Sequence, residues 1–233
     1  MRTLRNPSQG VDVYFLQRLL NKAARRSGGR FSSIREDGRF GPRTEAAVRA
    51  FQGLPGPPNM VTGIVANQTW TALGARTEVE HRLTLIPQGT NWNCWQSAST
   101  MVAAARGVPA SVSTSPNHMA YYLSSGMSGV AADQQLAREL GWQSLDHSPN
   151  LSELLGILRR TPIYVSGRLT ATGSSHAVAF GGVYSDDTPD GTVIIVYNPS
   201  PVGSGLIHQL FYDNMTSPIS GSPFVPFTFL VPR

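Results

Sequence analysis

The spacing of hydrophobic residues in this 233-residue chain changes once along its length. Up to about residue 160, apolar residues recur every three or four positions, as they do on one face of a helix. After that point, β-branched and aromatic residues form short runs bounded by Gly, Pro, Asp and Asn, a pattern typical of strands. Helices first and strands later predict an α+β region with an antiparallel sheet. The expected strands are 163–165, 176–180, 193–197 and 227–231. Before them, helices are expected over 133–140 and 150–159, the second with Asn150 or Ser152 as its N-cap.

Three short helical patterns occupy the first 75 residues. The first covers 11–20, with Asp12 near its start, where a carboxylate suits the positive end of the helix dipole. A second helix is predicted to open at Thr44, after a turn rich in Gly and Pro. A third follows Asn67, which is expected to act as its N-cap. Together they predict a small all-α domain.

The sequence therefore predicts two domains, at residues 1–75 and 85–233, joined by a polar linker at 76–84. Charge divides in the same way, because residues 1–75 contain 11 of the 19 Lys and Arg residues and only 4 of the 14 Asp and Glu residues. Such a basic region is either an ordinary solvated surface or one that attracts an anionic polymer, such as nucleic acid or the bacterial cell wall. Charge alone does not choose between them.

Three motifs in the N-terminal region occur in the order DVYFLQRLLN, DGRFGPRTEAAVRAFQ and TGIVANQTWTAL. This order resembles the small three-helix peptidoglycan-binding domain that is appended to many cell-wall enzymes. The resemblance covers residues 8–75 and implies peptidoglycan as a partner. Phe40 and Phe51 are expected to fill the core. The segment ARRSGGRFSSIRE is longer and more basic than such domains usually show, and the resemblance identifies no ligand-contacting residue.

Cys94 is the only cysteine, so the chain forms no internal disulfide. It stands at the predicted start of a helix over 95–105, where the helix dipole favours a thiolate. The position predicts a lowered pKa for the thiol and a role as a nucleophile. The alternative for a lone cysteine is a small buried hydrophobic residue.

Three further residues suit acyl-transfer chemistry at Cys94. His176 begins one strand-like run and Asn198 ends the next, so adjacent antiparallel strands could bring the two side chains together. Asn198 would then orient the imidazole that takes the proton of the Cys94 thiol. Gln88, six residues before the cysteine, could donate its amide to the oxyanion that forms during attack.

Other polar residues are assigned less specific roles. The remaining histidines are expected to be surface or hydrogen-bonded structural residues: His81, His118, His147 and His208. No paired Cys or His spacing indicates zinc, and neither a metal nor a cofactor is expected. Asp186 or Asp187 is the alternative to Asn198, but with Asp190 they are predicted to lie in a solvated hairpin loop.

The order of these residues resembles that of papain-like cysteine peptidases, in particular their compact bacterial branch. Gln precedes Cys by six residues, Trp follows the Cys, and a strand-borne His precedes an Asn-Pro pair. The resemblance covers about residues 82–233 and implies a papain-like fold that hydrolyses peptide or amide bonds. It implies Gln88 as oxyanion donor, Cys94 as nucleophile, His176 as base and then acid, and Asn198 as the orienting residue.

Together the two regions predict a cysteine hydrolase, a peptidase or amidase, directed to bacterial peptidoglycan as an antibacterial effector or a lysin. The sequence shows neither a signal-peptide h-region nor a membrane-length apolar segment. It therefore predicts secretion by a route without a conventional signal peptide, and action in the periplasm or cell wall of a target bacterium. An effector would have a cognate immunity protein as partner.

Two alternatives remain, a protease toxin that cleaves host or rival-cell proteins and a wall-binding scaffold without catalysis. The protease toxin would also act on a peptide or protein substrate, but that substrate would come from the host or the rival cell. Nucleic-acid binding and membrane insertion are not expected, because the basic region has no stacked aromatic pattern and no segment is long enough to span a bilayer.

Overall fold

The computed structural model describes residues 1–56, 60–91, 93–107, 130–169, 173–213 and 224–233. The chain divides into two compact units. The first consists of Met1–Glu78 with Tyr184–Val193, and the second of Val79–Val183 with Ile194–Arg233. Across the described ranges, every helix is too short or too polar to cross a membrane.

The first unit contains three helices in its described part, α1 (Val11–Arg26), α2 (Pro42–Gln52) and α3 (Asn67–Leu73). Helix α2 begins at proline, two residues before the predicted Thr44, because the first turn of a helix leaves its N–H groups unpaired and proline has none to lose. Asn67 is the first residue of α3 rather than its N-cap, a position that Ala66 occupies. Phe15 of α1 stacks on Trp70 of α3, and Phe40 and Phe51 are buried as expected.

The DGRF turn before α2 is held by α1. The side-chain oxygen of Gln17 accepts hydrogen bonds from the backbone N–H groups of Asp37 and Gly38, both at 2.9 Å. Gly38 has a φ of 68°, and a Cβ atom there would lie 2.2 Å from the ring of Tyr14. Glycine is therefore required twice, for the left-handed backbone and for the close approach of the tyrosine.

The second unit contains helices and most of a sheet. Its helices are α4 (Cys94–Ala105), α5 (Val130–Leu140) and α6 (Leu151–Leu158). Asn150 caps α6 as predicted, because its side chain accepts the N–H of Glu153 at 3.0 Å. The strands are β1 (Thr77–Glu80), β2 (Gln143–Leu145), β3 (Ile163–Leu169), β4 (Ser175–Ser185), β5 (Thr192–Asn198), β6 (Leu206–Phe211) and β7 (Phe224–Val231).

In the described residues the strand order is β2-β7-β3-β4-β5-β6, with β1 paired to β4. The pairs β2–β7, β3–β7 and β3–β4 are antiparallel, so the predicted antiparallel sheet is confirmed. The four predicted strands lie within β3, β4, β5 and β7, whereas β1, β2 and β6 were not anticipated. Strand β1 occupies part of the segment that the sequence predicts as a linker.

A hydrophobic core joins α6 to the sheet. Leu154 and Leu158 of the helix pack with Phe180, Val196 and Leu210 of three strands, all nearly inaccessible to solvent. Burying this apolar surface is the main favourable contribution to folding. The result is a rigid sheet, and the strands that carry His176 and Asn198 belong to it.

The turn between β4 and β5 belongs to the first unit, and it is not simply solvated. Lys22 of α1 donates hydrogen bonds to Asp186 and Asp190, both at 2.8 Å, and to the hydroxyl of Thr188. The side chains of Lys22 and Asp186 are only 7% and 8% exposed. The expectation of a solvated loop is therefore wrong for Asp186, because its carboxylate is paired with Lys22 and has little access to solvent. Asp187, in contrast, is exposed.

Candidate active site

Cys94 is the first residue of α4, as the sequence predicts, and is partly exposed. The turn before it is organised by Asn93, whose side-chain oxygen accepts from the backbone N–H of Thr90 at 3.0 Å. Ser97, in the first turn of α4, donates its hydroxyl to the carbonyl of Pro87 at 3.2 Å. These contacts hold the residues around the thiol in a defined geometry on both sides of the helix start.

Burial raises the pKa of the Cys94 thiol above its ordinary value. Nearby backbone N–H groups of Ala177, Trp95 and Cys94 itself act in the opposite direction and lower the pKa, and the negative charge of Asp133 raises it. The expected lowering is therefore wrong, because it took account of the helix terminus but not of the loss of solvent around the sulfur.

His176, the second residue of β4, contacts Asn198, the last residue of β5. Its Nε2 lies 2.8 Å from the side-chain oxygen of Asn198. That oxygen also accepts the backbone N–H of Ser200 at 2.8 Å, which fixes the orientation of the amide because a backbone N–H can only donate. Nε2 of His176 must then carry a proton, so in the neutral imidazole Nδ1 is the basic nitrogen. Burial lowers the pKa of His176 and so favours this neutral form.

The thiol lies near the strand that carries His176, since one of the backbone N–H groups that lower its pKa belongs to Ala177, the next residue. In the sheet register, Gly167 of β3 faces His176 and Ser166 faces Ala177. A Cβ atom at Gly167 would lie 2.7 Å from the ring of Phe224, so the glycine makes room for that ring.

Gln88 is buried, and its backbone is anchored to the loop after β5. Its N–H donates to the carbonyl of Pro199 and its carbonyl accepts from Gly203, both at 2.9 Å. The side-chain oxygen of Gln88 has no hydrogen-bond partner among the described groups. The structure thus brings His176 and Asn198 into contact, places the thiol near the backbone of Ala177, and ties Gln88 to the loop that begins after Asn198.

A small, mostly apolar cavity adjoins the histidine pair and contains a second histidine. His176, Asn198 and His208 line it together with apolar residues of the core. His208 donates its Nδ1–H to the carbonyl of Gln209 at 2.8 Å, which leaves Nε2 as a buried acceptor with no partner in the described part of the chain. Burial lowers the pKa of His208 to about 4.

Asp133 is a second group that the sequence reading missed. This fully buried carboxylate of α5 accepts hydrogen bonds from the hydroxyls of Tyr164, at 2.8 Å, and Ser166 on β3. It acts on the Cys94 thiol through its charge. In the sequence it appears only as an acidic residue at a helix start, which gives no sign of its burial.

The other histidines have structural contacts. His81 contacts the carbonyl of Leu158 at 2.6 Å, and the exposed His147 contacts Asp146 and Glu153, each at 2.8 Å. His118 lies outside the described residues. Over the ranges that the structure describes, no group of three or more His, Cys, Asp or Glu residues could hold a metal ion.

Comparison with known proteins identifies the N-terminal region. The family of peptidoglycan binding domains matches residues 9–73, which include all three helices of the first unit. This match supports association with the bacterial cell wall. No curated protein matches the chain.

Proposed function

We propose that the protein is a cysteine hydrolase, a peptidase or amidase, that cleaves the peptide part of bacterial peptidoglycan. The observation that carries this proposal is the bond between His176 Nε2 and Asn198 Oδ1, with the Cys94 thiol near the backbone N–H of Ala177, the residue after His176. A nucleophile, a base and a group that orients the base are the components that covalent acyl transfer needs. The papain-like fold remains part of the proposal.

In the proposed reaction, the sulfur of Cys94 attacks the scissile carbonyl as Nδ1 of His176 takes the thiol proton. Because burial disfavours the charged form of both groups, we propose that this transfer accompanies attack rather than preceding it. The oxyanion that forms accepts the backbone N–H of Cys94 and the side-chain amide of Gln88. His176 returns the proton to the leaving amine, and a thioester remains.

Water completes the cycle. His176, now neutral again, takes a proton from a water molecule that attacks the thioester carbonyl. The carbon–sulfur bond breaks, the thiolate recovers the proton from the imidazolium, and a carboxylic acid product leaves. Throughout, Asn198 keeps Nε2 protonated and the ring in place, so that Nδ1 remains the nitrogen that exchanges protons.

The N-terminal domain supplies the location. A wall-binding domain raises the local concentration of wall bonds around a catalytic domain on the same chain, without any change in the chemistry. We therefore propose that the protein is an antibacterial effector or a lysin that acts in the periplasm or cell wall. An effector would require an immunity protein in the cell that makes it.

Digestion of purified sacculi tests this function. The wild-type protein should release muropeptides with new amino termini, detected by amine labelling and mass spectrometry. Cys94→Ala and His176→Ala should release none. His147→Ala is the matched control, since His147 is exposed and bonded only to local carboxylates, and it should retain wild-type activity.

A bacterial proteome incubated with the same variants separates the alternatives. Cleavage of proteins but not of sacculi, dependent on Cys94, would instead identify a protease toxin. Binding to sacculi without cleavage of either material would identify a non-catalytic wall-binding protein.

A further inference from the structure

A groove on the first unit lies between residues 31–35 and helix α2. Phe31, Ile34 and Arg35 form one side, and Arg43 and Ala47 belong to the other. It has a volume of about 500 Å³. Ligand sites commonly fall between about 300 and 1,000 Å³ and combine an apolar lining with a few polar groups. This groove has both features.

The side of the groove formed by residues 31–35 is held firmly although it belongs to an insertion rich in Ser and Gly. Asn21 of α1 donates to the carbonyl of Ile34 at 2.9 Å and accepts its N–H at 2.8 Å. The same amide group donates to Glu36 at 2.9 Å, and Arg18 pairs with that carboxylate at 3.2 Å. Two buried anchors therefore fix the backbone, and little ordering would be needed when a ligand binds.

The groove presents positive charge. Arg35 and Arg43 are exposed, and neither forms a hydrogen bond or ion pair with the described residues, whereas Arg2, Arg18 and Arg49 are paired with carboxylates. Arg35 acts at longer range on Asp37, where its charge helps to lower the pKa of the carboxyl group. Arg43 is the second residue of α2, where the helix dipole adds to the attraction for an anion. A guanidinium can hold a carboxylate through two parallel hydrogen bonds.

We propose that this groove binds the stem peptide of peptidoglycan, with Arg35 and Arg43 on its carboxylates. Phe31 and the alanine face of α2 contact the methyl groups of its alanines. A phosphate polymer has no such apolar groups to match the walls, so the peptide is the ligand that complements both the charge and the lining. The proposal deepens the wall-binding part of the proposed function and does not depend on the hydrolase.

The test measures binding with the full chain carrying Cys94→Ala, so that the wall is not digested. The variant Arg35→Gln/Arg43→Gln is compared with Arg5→Gln/Arg26→Gln, which removes the same charge from exposed arginines elsewhere in the unit. The probes are sacculi with and without their teichoic acid, a disaccharide-tetrapeptide, and the same fragment with its carboxylates amidated. Thermal unfolding by circular dichroism checks that each variant is folded.

The proposal expects Arg35→Gln/Arg43→Gln to raise the Kd for sacculi and for the fragment about tenfold or more, and the control to change it less than about twofold. Amidation should weaken wild-type binding to a similar degree. Equal loss in both double variants, undiminished binding of the amidated fragment, or binding only to sacculi that retain teichoic acid would overturn it. Failure of the chain to bind any probe would overturn the wall-binding role as well, whereas a failure of the hydrolase would appear only in the digestion experiment.

Discussion

His176 and Asn198 are joined through one oxygen atom that has two donors. The Asn198 side-chain oxygen receives Nε2–H of His176 and the backbone N–H of Ser200, each at 2.8 Å. The N–H of Ser200 fixes the orientation of the Asn198 amide, and the amide oxygen then requires a proton on Nε2 of His176. Nδ1 is therefore the nitrogen that acts as the base. A single loop hydrogen bond therefore determines which nitrogen of the imidazole can accept a proton.

Replacing Asn198 tests this relationship. Asn198→Ala should lower kcat/KM for muropeptide cleavage at least about tenfold, because the imidazole loses the group that orients it. Asn198→Asp keeps an acceptor oxygen and should retain more activity. Its negative charge should also raise the pKa of His176 and move the acid limb of the pH–rate profile to higher pH. Equal activity in the two variants would show that the contact does not orient the base.

Removing the amide of Gln88 tests the proposed oxyanion contact. Gln88→Ala should lower kcat about a hundredfold with little change in KM, because the donor acts on charge that develops only in the transition state. The backbone bonds of Gln88 to Pro199 and Gly203 do not require its side chain, so the free energy of unfolding serves as the control. A change in KM alone would assign Gln88 to substrate binding.

The protonation state of Cys94 can be read from its alkylation. Because burial raises the pKa of the thiol, the rate of reaction with iodoacetamide should climb with pH and reach half its maximum above the ordinary value of about 8.5. Asp133→Asn removes a negative charge and should shift this midpoint to lower pH. A rate that is already maximal near pH 6 would instead indicate a preformed thiolate–imidazolium pair.

His208 should make the protein sensitive to acid. Its pKa is about 4 in the folded protein, while in the unfolded chain it returns to the ordinary 6.5. As pH falls below 6.5, His208 therefore binds a proton in the unfolded chain but stays neutral in the folded protein. The free energy of unfolding declines as a result. Between pH 7.5 and pH 5, this histidine should lower the free energy of unfolding by about 2 kcal/mol. In urea unfolding, the fall in this free energy over the same pH range should be smaller in His208→Leu than in the wild type by that amount. An identical fall in both proteins would contradict the effect of burial on His208.

The ion pair of Lys22 and Asp186 should be costly to break. Lys22→Met leaves the buried carboxylate of Asp186 without its cation, whereas Asp190 keeps Arg25, and should lower the free energy of unfolding by about 3 to 5 kcal/mol. Adding Asp186→Leu should recover part of this loss, because no buried charge then lacks a partner at that position. Arg49→Met removes an exposed pair with Glu45 and should cost about 0.5 kcal/mol or less. Similar costs for the two single variants would show that burial of the first pair adds little.

Several elements could be predicted because their signals are local. Helix α1, helix α6 with its Asn150 cap, and the four apolar strands follow from spacing and capping residues. Strand β6 could not be predicted, because its sequence LIHQLF has two polar residues in the middle. Both of them, His208 and Gln209, are buried in the structure. Strand β2 has only three residues and forms through its partner β7, so its own sequence holds little information.

The candidate site divides in the same way. The positions of Cys94 at a helix start, and of His176 and Asn198 on consecutive strands, could be deduced from the sequence, because neighbouring residues decide where a helix begins and which runs form strands. The state of each group was decided by tertiary structure. The raised pKa of the thiol and the tautomer of His176 depend on burial and on hydrogen bonds from residues far apart in the chain. The pairing of Lys22 with Asp186 has the same origin, since it joins residues 164 positions apart. Local sequence patterns determine which residues lie at a helix start or on a strand. Exclusion of solvent and contacts between distant residues determine the protonation and ion pairing of those side chains.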